Sequence, residues 1–123
     1  NNSTRDNIKE GGSVSADLAC DLVLYQSADI TIGLHGAAGT NVMFMRPGTL
    51  FVEIAGEYDG RMMPVCGLYA PLAAVFGVHH YLYYYDGLLD PDSIDMTDVL
   101  FQAKKYYNFL RSLRAANSPS TKL

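Results

Sequence analysis

Asp29-Ile30-Thr31-Ile32-Gly33-Leu34-His35-Gly36-Ala37-Ala38-Gly39-Thr40-Asn41 is the stretch that decides how the rest of the chain is read. Its first half, with Ala28 before it, is short and β-branched and flanked by small residues, the pattern of a strand over 28–33 buried on both faces. Its second half is a glycine- and alanine-rich turn that opens a helix. In an open parallel α/β sheet such a turn lies beyond the carboxyl end of the strand, where ligands bind. Gly36 and Gly39, with Ala37 and Ala38 between them, leave backbone N–H groups approachable by a bulky anion. Thr40 and Asn41 then either cap the helix or bond the ligand. His35 stands where the strand ends, so its imidazole points into the same crevice. There it donates a hydrogen bond or a positive charge to a phosphate oxygen, or it is a neutral, internally satisfied histidine in a tight turn. The spacing is not G-x-G-x-x-G, and the turn alone is a weak signal.

Outward from this stretch the chain alternates helices and strands. Ser15 is a suitable N-cap for a helix over 16–27, with Leu18, Leu22 and Tyr25 on one face at i, i+4, i+7. After the turn, residues 40–45 form a short helix that Pro47-Gly48 ends, and 49–55 form a second strand followed by a polar loop over 56–60. Val65, Leu68, Tyr69, Leu72, Ala73 and Phe76 make a helical stripe, which Pro71 kinks or restarts. Gly77 closes that helix, and 78–85 is an aromatic, β-prone third strand before an Asp86-Gly87 turn. Asp95 or Thr97 caps a long helix with Met96, Val99, Leu100, Ala103, Tyr107 and Leu110 facing inward. Its cations Lys104, Lys105, Arg111 and Arg114 lie in the second half, where the helix dipole favours them.

The order α-β-α-β-α-β-α predicts right-handed crossovers and an α/β, Rossmann-like parallel sheet with flanking helices. We expect a disordered or linker segment over 1–12, one domain over 13–115 and a polar tail over 116–123. Three parallel strands are few and leave apolar edges, so partner strands are expected upstream or from another chain. The first residue is Asn rather than Met, which fits a processed chain or a fragment of a longer protein.

A chain of 123 residues, 49% hydrophobic and 18% charged, is sized for one core. With a net charge of -4 and no basic run before the last helix, electrostatics give no reason to expect nucleic acid or an anionic membrane, so an anion has to be held locally. The apolar stretches stop well short of the roughly 20 residues of a spanning helix, and residues 1–10 lack the apolar core of a signal peptide. Cys20 and Cys66 have no metal-ligand or C-x-x-C spacing. They read as two buried free thiols rather than a disulfide.

Residues 28–54 are Ala-Asp-Ile-Thr-Ile-Gly-Leu-His-Gly-Ala-Ala-Gly-Thr-Asn-Val-Met-Phe-Met-Arg-Pro-Gly-Thr-Leu-Phe-Val-Glu-Ile, and Tyr69, Leu72-Ala73, Gly77 and Tyr81 follow. This composite resembles the signature of family 61 glycosyltransferases: a strand, His-Gly-Ala-Gly-Leu-Thr-Asn, an apolar turn, Pro-Gly, a strand ending Glu-Ile, then Tyr…Leu-Ala…Gly…Tyr. The resemblance spans about residues 25–85. It departs at Ala38, where the family has Gly, and at Gly39, where the family has Leu; a positive φ at position 38 would reshape the loop.

The resemblance implies the C-terminal, donor-binding half of a GT-B enzyme that transfers GlcNAc, xylose or arabinose from a UDP-sugar with inversion and without a metal or other cofactor. Its acceptors would be protein or glycan hydroxyls, its location the Golgi or endoplasmic reticulum lumen. The acceptor-binding N-terminal domain would lie upstream, and this segment would touch no membrane. Carried over by position, His35, Gly36, Ala37, Ala38, Gly39, Thr40 and Asn41 hold the pyrophosphate, and Glu53 faces the nucleotide. The catalytic base is not among the matched positions. The alternative is a non-catalytic nucleotide-binding or interaction module from a truncated paralogue.

Glu53 also stands out without the resemblance. Leu50, Val52 and Ile54 line one face of the second strand, and Phe51, Glu53 and Ala55 the other. A carboxylate there either lies at a solvent-exposed strand end or needs a partner, such as a ribose hydroxyl. Adjacent His79 and His80 point to opposite faces and do not chelate one ion together. Tyr81, Tyr83, Tyr84 and Tyr85 read as core rather than a base-stacking platform, with Tyr85 a pocket-wall candidate. Asp90, Asp92 and Asp95 lack the Gly and distal Glu of a calcium loop and read as turn and cap residues. Asn1-Asn2-Ser3-Thr4 holds overlapping N-glycosylation acceptors or a chance polar tail. Neither a G-x-S-x-G elbow nor a Cys-His pair supports hydrolase chemistry.

Overall fold

The second strand organises the fold because its alternation is apolar on both sides apart from one residue. In the structure, a computed structural model, residues 12–58, 61–62, 68–88 and 90–119 are described, with side chains over 18–57, 68–85 and 90–119. The elements run α1 (Gly12–Ser27), β1 (Ile30–Leu34), a 3-10 helix (Ala37–Phe44), β2 (Leu50–Tyr58), β3 (Arg61–Met62), α2 (Tyr69–Val75), β4 (His79–Leu88), a 3-10 turn (Pro91–Ser93) and α3 (Met96–Asn117). β2 is central. It pairs in parallel with β1 from Ile30↔Leu50 to Leu34↔Ile54, and with β4 from Leu50↔His79 to Ala55↔Tyr84. β3 folds back antiparallel onto the end of β2 through Glu57↔Met62 and Tyr58↔Arg61. The result is a small open α/β sheet of three parallel strands flanked by helices, compatible with a Rossmann-like arrangement. Among the described residues, neither outer edge carries a further strand, and no helix is long and apolar enough to cross a membrane.

Two cores lie on opposite faces of β2. Leu50, Val52 and Ile54 are buried with Ile94, Val99 and Ala103 beneath α3, with half-buried Tyr81, Tyr83 and Tyr85 around them. Phe51 is buried on the other face with Val42, Met45, Tyr69, Ala73 and Val78, beneath the 3-10 helix and α2. Each enclosed aliphatic side chain stabilises the fold by about 1.5–3 kcal/mol.

Local chemistry sets the element ends. The Asp95 carboxylate accepts from the N–H groups of Thr97 (3.0 Å) and Asp98 (3.3 Å), so Asp95 and not Thr97 is the cap of α3. Gly48, at φ 82°, takes the left-handed third place of a turn in which Thr49 N–H donates to Arg46 O. Its own N–H donates to Gly77 O at 2.7 Å, tying the entry of β2 to that of β4.

Several boundaries depart from the sequence reading. α1 begins at Gly12, so Ser15 lies inside it, and Leu18 is 56% exposed while Leu22 and Tyr25 are half-buried. β1 runs over Ile30–Leu34 and is only half-buried, as an edge strand with a neighbour on one side. The helix expected over 40–45 is a 3-10 helix that starts three residues earlier. β2 continues through Tyr58, so the expected polar loop is strand and hairpin; positions 59–60 lie outside the described residues. α2 spans only Tyr69–Val75, with Pro71 in its first turn, where the missing N–H has no helical partner to lose. Pro71 therefore marks a start rather than a kink. Leu68 and Phe76 are exposed, and Val65 is outside the described residues. β4 passes through Asp86-Gly87 to Leu88, held by the pairing Glu57↔Leu88 beyond a register shift whose extra residues lie in β4. α3 runs to Asn117, and Met96 and Leu100 are exposed. Cys20 is exposed rather than buried, and Cys66 is outside the described residues.

Candidate anion site

Three strands each contribute one residue to a buried polar cluster. His35 follows β1 directly, and its N–H donates to Ile54 O at 2.7 Å, continuing the pairing by one residue. Glu53 lies opposite Gly33, which has no side chain to crowd it. His80 lies opposite Phe51 at the start of β4, on the same face. Glu53 is fully buried. One of its oxygens, Oε1, accepts from His35 Nδ1, and the other, Oε2, accepts from His80 Nε2 at 2.6 Å. A fully enclosed carboxyl group needs a hydrogen-bond partner at each oxygen, and the two imidazoles supply them. Glu53 is thus neither at an exposed strand end nor open to a ribose hydroxyl. The His35 and His80 side chains are 15% and 12% exposed, so each ring keeps an accessible edge.

Aromatic rings pack around the cluster. Tyr69 meets His35 edge-on with centroids 5.5 Å apart, and Phe51 tilts against His80 at 5.9 Å. The Tyr69 hydroxyl donates to Gly36 O. A Cβ on Gly39 would stand 2.7 Å from Tyr69 Cε1, so Gly39 is small to admit this ring and its face is not open to a ligand. Gly39 N–H donates to Gly36 O at 2.9 Å.

The remaining turn residues divide between packing and exposure. Thr40 Oγ1 donates to Ala37 O at 2.7 Å, and Asn41 Nδ2 donates to the Tyr25 hydroxyl at 3.4 Å, so both side chains engage the protein itself. Gly36 is extended. Ala38 lies in a right-handed 3-10 helix and needs no positive φ, so alanine fits there without reshaping the loop. Ala37 and Ala38 are exposed, and their N–H groups belong to a first turn that has no intrahelical acceptors for them.

On the other face of the same sheet end, Ile32, Leu34, Ile54, Pro91, Ile94 and Met96 line an apolar cleft of about 190 Å³. Nearby, the Tyr83 hydroxyl donates to Asp98 Oδ2 at 2.5 Å. That bond, with burial and the negative charges of Asp98 and Asp95, pushes the phenol up to about 12. Tyr85 packs with the α3 core and not at the site.

The sequence pointed to His35 and Glu53, and the fold joins them. It did not point to His80, whose alternation in β4 was clear but whose register against Glu53 was not. Tyr69 was visible only as a helical core position. No protein-family model matches the chain, and neither a curated protein nor a solved structure is similar to it.

Proposed function

We propose that the chain is the donor-binding half of an inverting, metal-independent, GT-B glycosyltransferase that holds a UDP-sugar by its pyrophosphate. The reading starts from the family 61-like motif. It is carried by one observation: His35, gripped through Nδ1 by a buried carboxylate, stands beside the exposed start of the 3-10 helix at the carboxyl end of parallel strands. An imidazole edge and first-turn N–H groups together offer hydrogen-bonding partners to phosphate oxygens. Such donors also stabilise charge on the leaving UDP. In this reading Glu53 acts through His35, and Thr40 and Asn41 hold the turn rather than the ligand. The apolar cleft, below the roughly 300 Å³ at which whole-ligand pockets begin, suits a single flat ring such as a base. The acceptor half, its protein or glycan hydroxyl and a Golgi or endoplasmic reticulum setting rest on the resemblance.

Calorimetric titration with UDP tests the proposal. Binding at millimolar ligand or tighter is expected, weakened about tenfold by His35→Ala, as for loss of one charge-assisted hydrogen bond. A flat titration of the folded chain rejects it. The rival reading, a non-catalytic module, draws on Tyr69 filling Gly39 and bonding Gly36 O, which gives two of the turn's small residues a packing role. Under it His35→Ala changes stability and leaves no UDP affinity to lose.

A further inference from the structure

His80 is the member of the buried cluster to which the donor reading gives no task. The two histidines meet Glu53 through different nitrogens, His35 through Nδ1 and His80 through Nε2. A ring whose Nδ1–H is held by a carboxylate has Nε2 left for other work, and the partner on one nitrogen sets the state of the other. His35 is the ring at the strand end beside Gly36, whereas His80 lies inside the sheet against Phe51. Tyr69 faces the cluster from α2, but its hydroxyl is committed to Gly36 O. If His80 did not donate, one oxygen of a fully buried carboxylate would lack a donor, and the carboxylate would be free to turn about its last bond. A turned carboxylate no longer fixes the His35 ring in one place.

We propose that His80 is a positioning residue: by fixing one oxygen of Glu53 it makes the other hold His35 with its proton on Nδ1, so that Nε2 is presented to a phosphate oxygen. The identity of that ligand rests on the donor reading; the state of the two rings does not. When a diphosphate binds, Nε2 takes up one proton, from the ligand's own P–OH or from the solvent, and the ring then donates through both nitrogens, to Glu53 behind it and to the phosphate in front.

Long-range ¹H–¹⁵N spectra of the histidine-labelled chain, assigned by substituting each of its three histidines, read this directly. The unliganded protein is expected to show His35 protonated at Nδ1 and His80 at Nε2. His80→Leu should convert His35 to a mixture of forms and weaken UDP or inorganic pyrophosphate binding about tenfold, the equivalent of one fixed charge-assisted hydrogen bond. His80→Gln, whose amide can still donate to Glu53, should restore both. His35 protonated only at Nε2 in the unsubstituted chain, or unchanged in a folded His80→Leu, overturns the proposal. If His80→Leu does not fold, the spectra of the unsubstituted chain and of His80→Gln decide. Expected spectra without any UDP binding would reject the donor reading and leave the role of His80 toward His35 standing.

Discussion

The two faces of β2 are equally closed to solvent but closed by different means. Leu50, Val52 and Ile54 pack with apolar and aromatic side chains under α3, and their contribution is non-directional. One layer away, Phe51 and Glu53 face a shell in which a carboxylate is matched atom for atom by two imidazoles and a phenol is pinned to a backbone carbonyl. A buried ionic group is weak evidence of stability, because its desolvation offsets the attraction, but its directional bonds fix where the partner atoms stand. Both faces therefore carry an apolar core, and the face under α2 adds bonds that hold the atoms of a buried carboxyl group in place.

Substitutions can break this contrast. Glu53→Ala leaves two histidine donors and a cavity in a closed space, and should lower unfolding free energy in urea by about 3–5 kcal/mol, the range for an orphaned buried pair. Leu50→Ala, on the other face, should cost about 3 kcal/mol through transfer and cavity terms, with the histidine spectra unchanged. If Leu50→Ala disturbs those spectra as much as Glu53→Ala does, the faces are not separate. Gly39→Ala drives a methyl group into the Tyr69 ring and should cost about 1–3 kcal/mol, as for overpacking. Tyr69→Leu in the same chain should return part of that loss, and no return would place the clash elsewhere. The smallest effect belongs to Tyr83. Its phenol is raised from 10.0 to about 12, so the contribution of its bond to Asp98 is complete below pH 10 and is lost as pH rises toward 12. Alkaline difference spectra should show Tyr83 ionising late, and Asp98→Asn should bring it back toward 10.

Much of this contrast was legible in the sequence. Period-2 alternation assigned Leu50, Val52 and Ile54 to one face and Phe51 and Glu53 to the other, and the spacing of helices and strands implied parallel pairing. Asp95 was one of two caps proposed for α3, and the bond geometry selects it. What was not legible depends on register or on a distant element. His80 meets Glu53 only because Phe51↔His80 is the register, and nothing local in residues 78–85 encodes that. Gly39 looked like room for a ligand because the ring that fills it comes from α2, thirty residues on. Asp86-Gly87 has turn chemistry, and it falls where the β2–β4 register slips, so the strand bulges there instead of turning back. Met96 and Leu100 fit an inward stripe but fall outside the arc that the sheet covers, as Leu18 does on α1.

The level start of the three parallel strands bears on how the chain assembles. Leu50 has Ile30 on one side and His79 on the other, partners about 20 and 30 residues away in the chain, so neither pairing can begin from a tight turn. Among the described residues, the two-residue β3 hairpin is the sheet's one local pairing. The Gly48 to Gly77 bond sits at the mouth of the larger of these two loops, where a single early contact shortens the remaining search. Two left-handed glycines, Gly48 and Gly77 at φ 69°, thus mark the place where the second crossover closes.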